Sequence, residues 1–294
     1  MGEKSKVYNK FSIFEKILPN WDHDLHVHSN WSQDNLNGPS MMDYVPLAER
    51  YKIHIGFADH FEFFDSDKKD SEFKKYRLNQ ETVDNYLEEI DNIKENYPFI
   101  TSGLEFNFYP NRIEKLQEFT DRYRSEFDFF IGGVHEIDEF SSFVIQKDFN
   151  SLLLKYDSFE IILEKFFKIE RELLNSQIFD CIAHPDVIYK FKSIEDRKCH
   201  PEYEFDKRIL ELGALCEKTR TLMEVNLSGF RFPWKNSFPN DSILHHLIAQ
   251  GVSFVVGSDS HSLLDFENNI LNIRKKNRII RGDFLFTAKF DTKF

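Results

Sequence analysis

Cysteine is scarce: Cys181, Cys199 and Cys216 are the only three in a chain of 294 residues. They are scattered without metal-type spacing, so neither a thiolate zinc site nor a disulfide framework is implied, and a reducing cytoplasm is the expected location. No apolar run reaches the roughly 18 residues of a membrane span. The first twenty residues, MGEKSKVYNKFSIFEKILPN, mix charges through a short amphipathic pattern and lack the apolar core of a signal peptide. The few glycines and prolines gather into no linker. One domain is therefore expected over residues 21–294, behind an N-terminal extension at 1–20. Basic residues form no block able to track a phosphate backbone, and the net charge of −12 argues against a dedicated nucleic-acid binder.

Aromatic residues, by contrast, are plentiful: 16% of the chain, with 32 Phe, within 41% hydrophobic residues overall. A sizeable packed core follows. A unit recurs along the chain, in which a short apolar run leads through a polar turn to a charged segment with helical spacing. The strand-like runs are Trp21 to His28, Ile53 to Ala58, Phe99 to Leu104, Phe127 to Val134, Ile178 to Ala183, Leu222 to Asn226 and Val252 to Gly257. Helical segments between them include ETVDNYLEEIDNIKEN, SFEIILEKFFKIERELLNS and DSILHHLIAQG, the last with Asp241 or Ser242 as N-cap and Gly251 as C-cap. Alternation of this kind means an α/β fold with a parallel sheet, and seven units favour a closed barrel. A doubly wound open sheet is the competitor, but no Gly-rich phosphate fingerprint follows the first strand.

The stretch DLHVHSNWSQD sets His26 and His28 two apart in a strand, where side chains share a face, and a polar turn can fold Asp34 back toward them. His60 in ADH, His135, His184 in AHPD and His261 in GSDSH also fall at or near strand ends, as do Glu105 and Asp259. Each motif alone reads as an ordinary hydrogen-bonded turn. In a parallel barrel all those ends open on one face, so together they converge. His23, His54, His200, His245 and His246 read as structural.

Six imidazoles with Asp34, Glu105 and Asp259 exceed what one tetrahedral metal takes and fit two to three divalent metals. Nitrogen and oxygen donors without thiolate suit Zn, Mn or Fe. Such a cluster lowers the pKa of a bridging water and polarises a phosphoryl oxygen, so phosphate-ester hydrolysis is the leading reaction class.

With these motifs in place the sequence resembles the polymerase and histidinol phosphatase (PHP) superfamily of metal-dependent phosphoesterases, and within it the monofunctional histidinol-phosphate phosphatases. The matching segments are DLHVHS, ADH, SGLEFNFYP, IGGVHEID, DCIAHPDVIYKF, EVNLSGFRFP and GSDSH, in family order from about residue 22 to residue 262. The resemblance implies a distorted TIM-like (β/α)7 barrel and a trinuclear site. One metal would take His26, His28, Glu105 and Asp259, a second Asp34, His60 and His261, and a third His135 and His184 with Glu105 as a bridge. It implies a small phosphorylated substrate, most simply L-histidinol phosphate, attacked by a metal-bridging hydroxide. Arg231, in NLSGFRFP, is the candidate for gripping the phosphate. Lys190 and Lys192 are weaker candidates for the same pocket, and Asp186 is considered as the proton donor.

Two features depart from the family pattern. Some twenty residues precede the first motif, and VHEIDEF lacks the aromatic or leucine residues expected after the fourth-strand histidine. Two rival readings are a phosphodiesterase or exonuclease acting on nucleotides, and a metal-loaded domain that only binds a ligand or partner.

Overall fold

The computed structural model describes residues 9–63, 77–138 and 141–282. Residues 1–8 of the expected extension, 283–294 of the expected barrel domain, and Glu139 and Phe140 of VHEIDEF lie outside the described residues.

Seven strands follow one another in chain order around a single sheet: β1 (Asp22–Val27), β2 (Ile53–Phe61), β3 (Ile100–Asn107), β4 (Phe129–Gly133), β5 (Cys181–Ile182), β6 (Leu222–Asn226) and β7 (Phe254–Gly257). Every neighbouring pair is parallel. Ahead of β1 lies the short α1 (Ile13–Lys16), and α2 (Met41–Tyr51) links β1 to β2. The helices α3 (Val83–Lys94) and α4 (Ile113–Tyr123) precede β3 and β4, and α5 (Gln146–Lys155) and α6 (Phe159–Ser176) precede β5. Then α7 (Ile194–Cys199) and α8 (Lys207–Thr219) lead to β6, α9 (Asp241–Ala249) to β7, and α10 (Leu263–Ile280) follows β7. In α3 the buried residues Val83, Tyr86, Leu87, Ile90 and Ile93 repeat at three and four, which lays one apolar stripe against the sheet.

Closure comes at the seam between β7 and β1. Near its top, the Asp259 N–H donates to the His26 carbonyl at 2.7 Å and the His28 N–H to the Ser260 carbonyl at 3.0 Å. Lower down, side chains of β1 replace the ladder: His23 Nε2 accepts the Val256 N–H at 3.1 Å, and Asp24 Oδ1 accepts the Ser258 N–H at 2.8 Å. The sheet is thus a nearly closed barrel, and the open doubly wound sheet is excluded. His23, read as structural in the sequence, is one of the groups that closes the seam.

The α9 cap differs from expectation by one residue. Asn240, and not Asp241 or Ser242, accepts the N–H groups of Ser242 and Ile243, because a capping side chain must stand ahead of the first helical turn. Gly251 lies just beyond the helix with φ of +87°, in the left-handed region, while Gln250 is the C-cap.

The barrel interior is a packed cluster of Leu25, Ala58, Phe129, Ile131, Cys181, Ala183, Leu222 and Val255. Ile13 of α1 joins it from below, with Phe11 and Ile17 packed at its edge. Lys16 pairs with Asp128 ahead of β4, and Lys10 donates to Thr221 ahead of β6, so residues 10–17 cover the barrel's N-terminal mouth. Among the described residues, no helix is long and apolar enough to cross a membrane.

Candidate metal centre

The C-terminal ends of the strands gather the predicted donors. His60 and Glu105 lie inside β2 and β3, which run longer than the sequence suggested, and they stand opposite each other in the ladder. His28 is one residue beyond β1, whose register slips between Asp24 and Val27, yet its ring still lies 5.0 Å from that of His26. His135 and His184 follow β4 and β5. Asp259 and His261 follow β7, with Asp259 at φ of +55°.

Glu105 is the hub. Its Oε2 lies 3.1 Å from His26 Nε2, 3.1 Å from His60 Nδ1 and 3.5 Å from His28 Nε2. Its Oε1 lies 3.0 Å from His184 Nε2 and 3.6 Å from His135 Nε2. One carboxylate therefore divides its two oxygens between two groups of imidazoles, as a bridging ligand does. At the rim, Asp34 Oδ2 lies 3.1 Å from His261 Nε2 and 3.6 Å from His60 Nε2. Donor atoms compact enough for one ion occur in three sets: His26, His28 and Asp259; His28, His60 and His261; and Glu105, His135 and His184. All nine predicted donors are brought together. The first set lacks the Glu105 of the expected grouping, the middle set has His28 in the place of Asp34, and the third is as expected.

The carboxylates and hydroxyls that orient these rings were not singled out in the sequence. Glu224 Oε1 accepts from His26 Nδ1 at 2.7 Å, while Oε2 accepts the His184 N–H at 2.7 Å. Asp59, beside His60, accepts from the Ser29 N–H at 2.6 Å and from the Ser32 hydroxyl at 2.8 Å. Ser32 Oγ in turn lies 2.8 Å from His28 Nδ1. The available signal was adjacency: Asp59 sits within ADH, and Glu224 is the first residue of EVN, in the middle of β6.

That network assigns the His28 tautomer. The Ser32 proton goes to Asp59, so His28 Nδ1 must be the donor to Ser32 and Nε2 is left as a bare lone pair. Nε2 is buried with no hydrogen-bond partner, yet faces Asp259 Oδ1 at 3.4 Å and Glu105 Oε2 at 3.5 Å. A lone pair aimed at two anions is unfavourable unless a cation stands between them, so the donors fit a metal. Burial lowers His28 and His135 to about 3, keeping both rings neutral. Burial would raise Glu105, but the charges of His26 and His60 outweigh it and hold the carboxylate well below its ordinary range. Burial likewise opposes a charged His26, whereas Glu224 and Glu105 hold its pKa well above the ordinary value, the proton on Nε2 answering Glu105 as a metal would.

Above the donors opens a cavity of about 1380 Å³, lined among others by Asp34, His60, His135, His184, Lys190, Arg231, Asp259 and His261. Arg231 reaches it from the loop after β6, held by Asp265 and by the Asp259 carbonyl at 2.8 Å. Lys190 is buried with its ammonium 4.8 Å from the centre of the Phe232 ring, and burial lowers its pKa to about 8. Lys192 is not brought to the cavity; its ammonium lies 4.1 Å from the centre of the Phe159 ring. Asp186 is not brought there either. It is 1% exposed, with Oδ1 unpartnered, and burial and the charge of Asp206 push its pKa well up. The expectation of Asp186 as proton donor is corrected on that ground: its carboxyl does not line the cavity. Of the five histidines read as structural, His200, His245 and His246 are exposed, and His23 and His54 are buried in the lower barrel.

Comparisons with known proteins agree with this geometry. Residues 24–228 match the PHP domain family. "Probable histidinol-phosphatase" of Schizosaccharomyces pombe is 28% identical over 192 residues, 61% of this chain and 60% of that protein. The chain thus spans less than two thirds of that relative's length. "Histidinol-phosphatase" of Bacillus subtilis is 23% identical over 262 residues, covering 82% of this chain and 94% of its own. Among solved structures, hisK of Listeria monocytogenes superposes with a TM-score of 0.72 at 17% identity, over 85% of this chain and 99% of that one. The histidinol phosphate phosphatase of Lactococcus lactis, complexed with zinc, L-histidinol and phosphate, gives 0.58 at 20% identity, over 87% and 93%. With a family match over most of the barrel and the donors at its strand ends, the chain belongs to the PHP domain family.

Proposed function

We propose that this chain is a metal-dependent phosphate monoesterase that converts L-histidinol phosphate and water to L-histidinol and phosphate. The observation that carries the reading is the bare Nε2 of His28 facing Glu105 and Asp259, beside a cavity that also holds Arg231 and Lys190. Support for the substrate comes from the names of the relatives and from the ligands of the Lactococcus lactis neighbour.

His26, His28, Glu105 and Asp259 would hold one metal, Asp34, His60 and His261 a second, and His135 and His184 with Glu105 a third, as Zn, Mn or Fe. When bound, such ions supply an activated water and polarise the phosphoryl oxygens. Arg231 grips the phosphate with its planar fork, and Lys190 adds a second positive charge from below. Glu224 and Asp59 fix the ring orientations through His26 and Ser32, so the donor set is assembled before substrate arrives. Three free cysteines, two of them buried, suit a cytoplasmic enzyme.

The test is phosphate release from L-histidinol phosphate by metal-replete protein, beside other small monoesters and a dinucleotide diester. Preference for L-histidinol phosphate supports the proposal. Activity confined to the diester replaces it with the nucleotide reading, and no turnover despite bound metal leaves only a binding domain.

A further inference from the structure

The cavity is also lined by Glu62, Asn107, Tyr109, Arg112 and Glu136. Glu62 stands two residues beyond His60, and Glu136 directly follows His135, in the segment that departs from the family pattern. Neither carboxylate belongs to a donor set.

A hydrogen-bond chain ties these residues to His135. The His135 N–H donates to Asn107 Oδ1 at 3.3 Å, Asn107 Nδ2 donates to Tyr109 Oη at 2.6 Å, and the Tyr109 hydroxyl donates to the Glu136 carboxylate. The Tyr109 proton is thereby committed, and the carboxylates of Glu136 and Glu62 offer acceptor lone pairs. The two are close enough for their charges to repel. Arg112 tempers this from one side, its Cζ 4.9 Å from the centre of the Tyr109 ring, and Lys115 also faces the cavity.

The cavity thus carries groups of both signs. Arg231 and Lys190 suit a phosphate, and Glu62 and Glu136 suit N–H donors carrying positive charge. We infer that Glu62 and Glu136 select the alcohol half of the substrate, admitting phosphate esters whose alcohol bears a protonated amine and disfavouring neutral ones. This rests on the phosphatase reading above and adds the groups that set its specificity.

The test compares kcat/KM for L-histidinol phosphate with that for phenyl phosphate, using metal-replete protein and the variants Glu62→Gln, Glu136→Gln and both together. Each change keeps the shape of the side chain and removes its charge. The ratio should fall by about tenfold or more in the double variant, mainly through KM for L-histidinol phosphate. An unchanged ratio overturns the inference. A second measurement needs no variant: free L-histidinol should inhibit phenyl phosphate turnover at least several-fold better than its N-acetyl form. Equal inhibition by the two also overturns it. Failure of the unaltered protein to hydrolyse any ester would instead sink the phosphatase reading itself.

Discussion

Glu224 Oε1 stands 2.7 Å from His26 Nδ1, and the same carboxylate takes the backbone N–H of His184 on its other oxygen. One buried side chain on β6 thus orients a donor on β1 and the loop that carries a donor after β5. Glu224→Gln keeps the volume but presents an amide where an anion met His26. Metal affinity or turnover should fall by about 10- to 100-fold, the range for groups that support metal ligands. Metal content after dialysis and kcat would be measured together. Retention of full metal and full rate would count against this support.

Gly133 ends β4 directly beneath one donor set. A Cβ there would lie 2.8 Å from His184 Cε1, 3.1 Å from Glu105 Oε1 and 3.3 Å from His135 Cε1. Gly133→Ala should therefore displace three donors at once. Displacement on this scale lowers turnover by about 100-fold, while far-ultraviolet circular dichroism stays that of the folded barrel. Loss of the folded signal, or unchanged activity, would contradict the geometry.

The strand order and the donors were legible because every donor but Asp34 sits in or within four residues of a short apolar run. The expected grouping of Asp34 with His60 and His261 matches their rim contacts, although the compact set there takes His28. Asp59 and Glu224 were missed because a carboxylate that supports a ligand has no spacing of its own. Asp186 and Lys192 were misplaced for a related reason: after β5 the chain enters a 3-10 turn at Val187–Tyr189. That turn directs Lys190 into the cavity but neither Asp186 nor Lys192, and no period in the sequence reveals it.

The segment before β1 yields a stability prediction. Ile13 is 2% exposed and is the side chain of α1 that enters the barrel interior. Ile13→Ala removes three buried carbons from a cluster that closed strands cannot collapse around, costing about 2 to 4 kcal/mol. Chemical denaturation should show a lower midpoint at unchanged slope. Metal content should not change, since the donors lie at the opposite end of the barrel. Stability equal to the parent would mean that residues 10–17 do not seal the core.

His54 makes stability depend on acidity. Its ring is fully buried on β2 and both nitrogens lack a hydrogen-bond partner. Burial lowers its pKa to about 4, with the charge of Asp128 opposing only in part. In the unfolded chain a histidine takes up its proton near about 6.5. The folded state therefore binds fewer protons between those values, so the stabilising contribution is complete above about pH 6.5 and is lost as acidity rises toward pH 4. For one such ring the loss between pH 7 and pH 5 is about 2 kcal/mol. His54→Leu leaves no buried nitrogen to protonate and should remove that part of the pH dependence. Denaturant titrations of parent and variant across this range isolate the effect, because the histidines of the metal centre and His23 are common to both. Parallel curves would show that His54 is not the neutral, unpartnered ring that the barrel encloses.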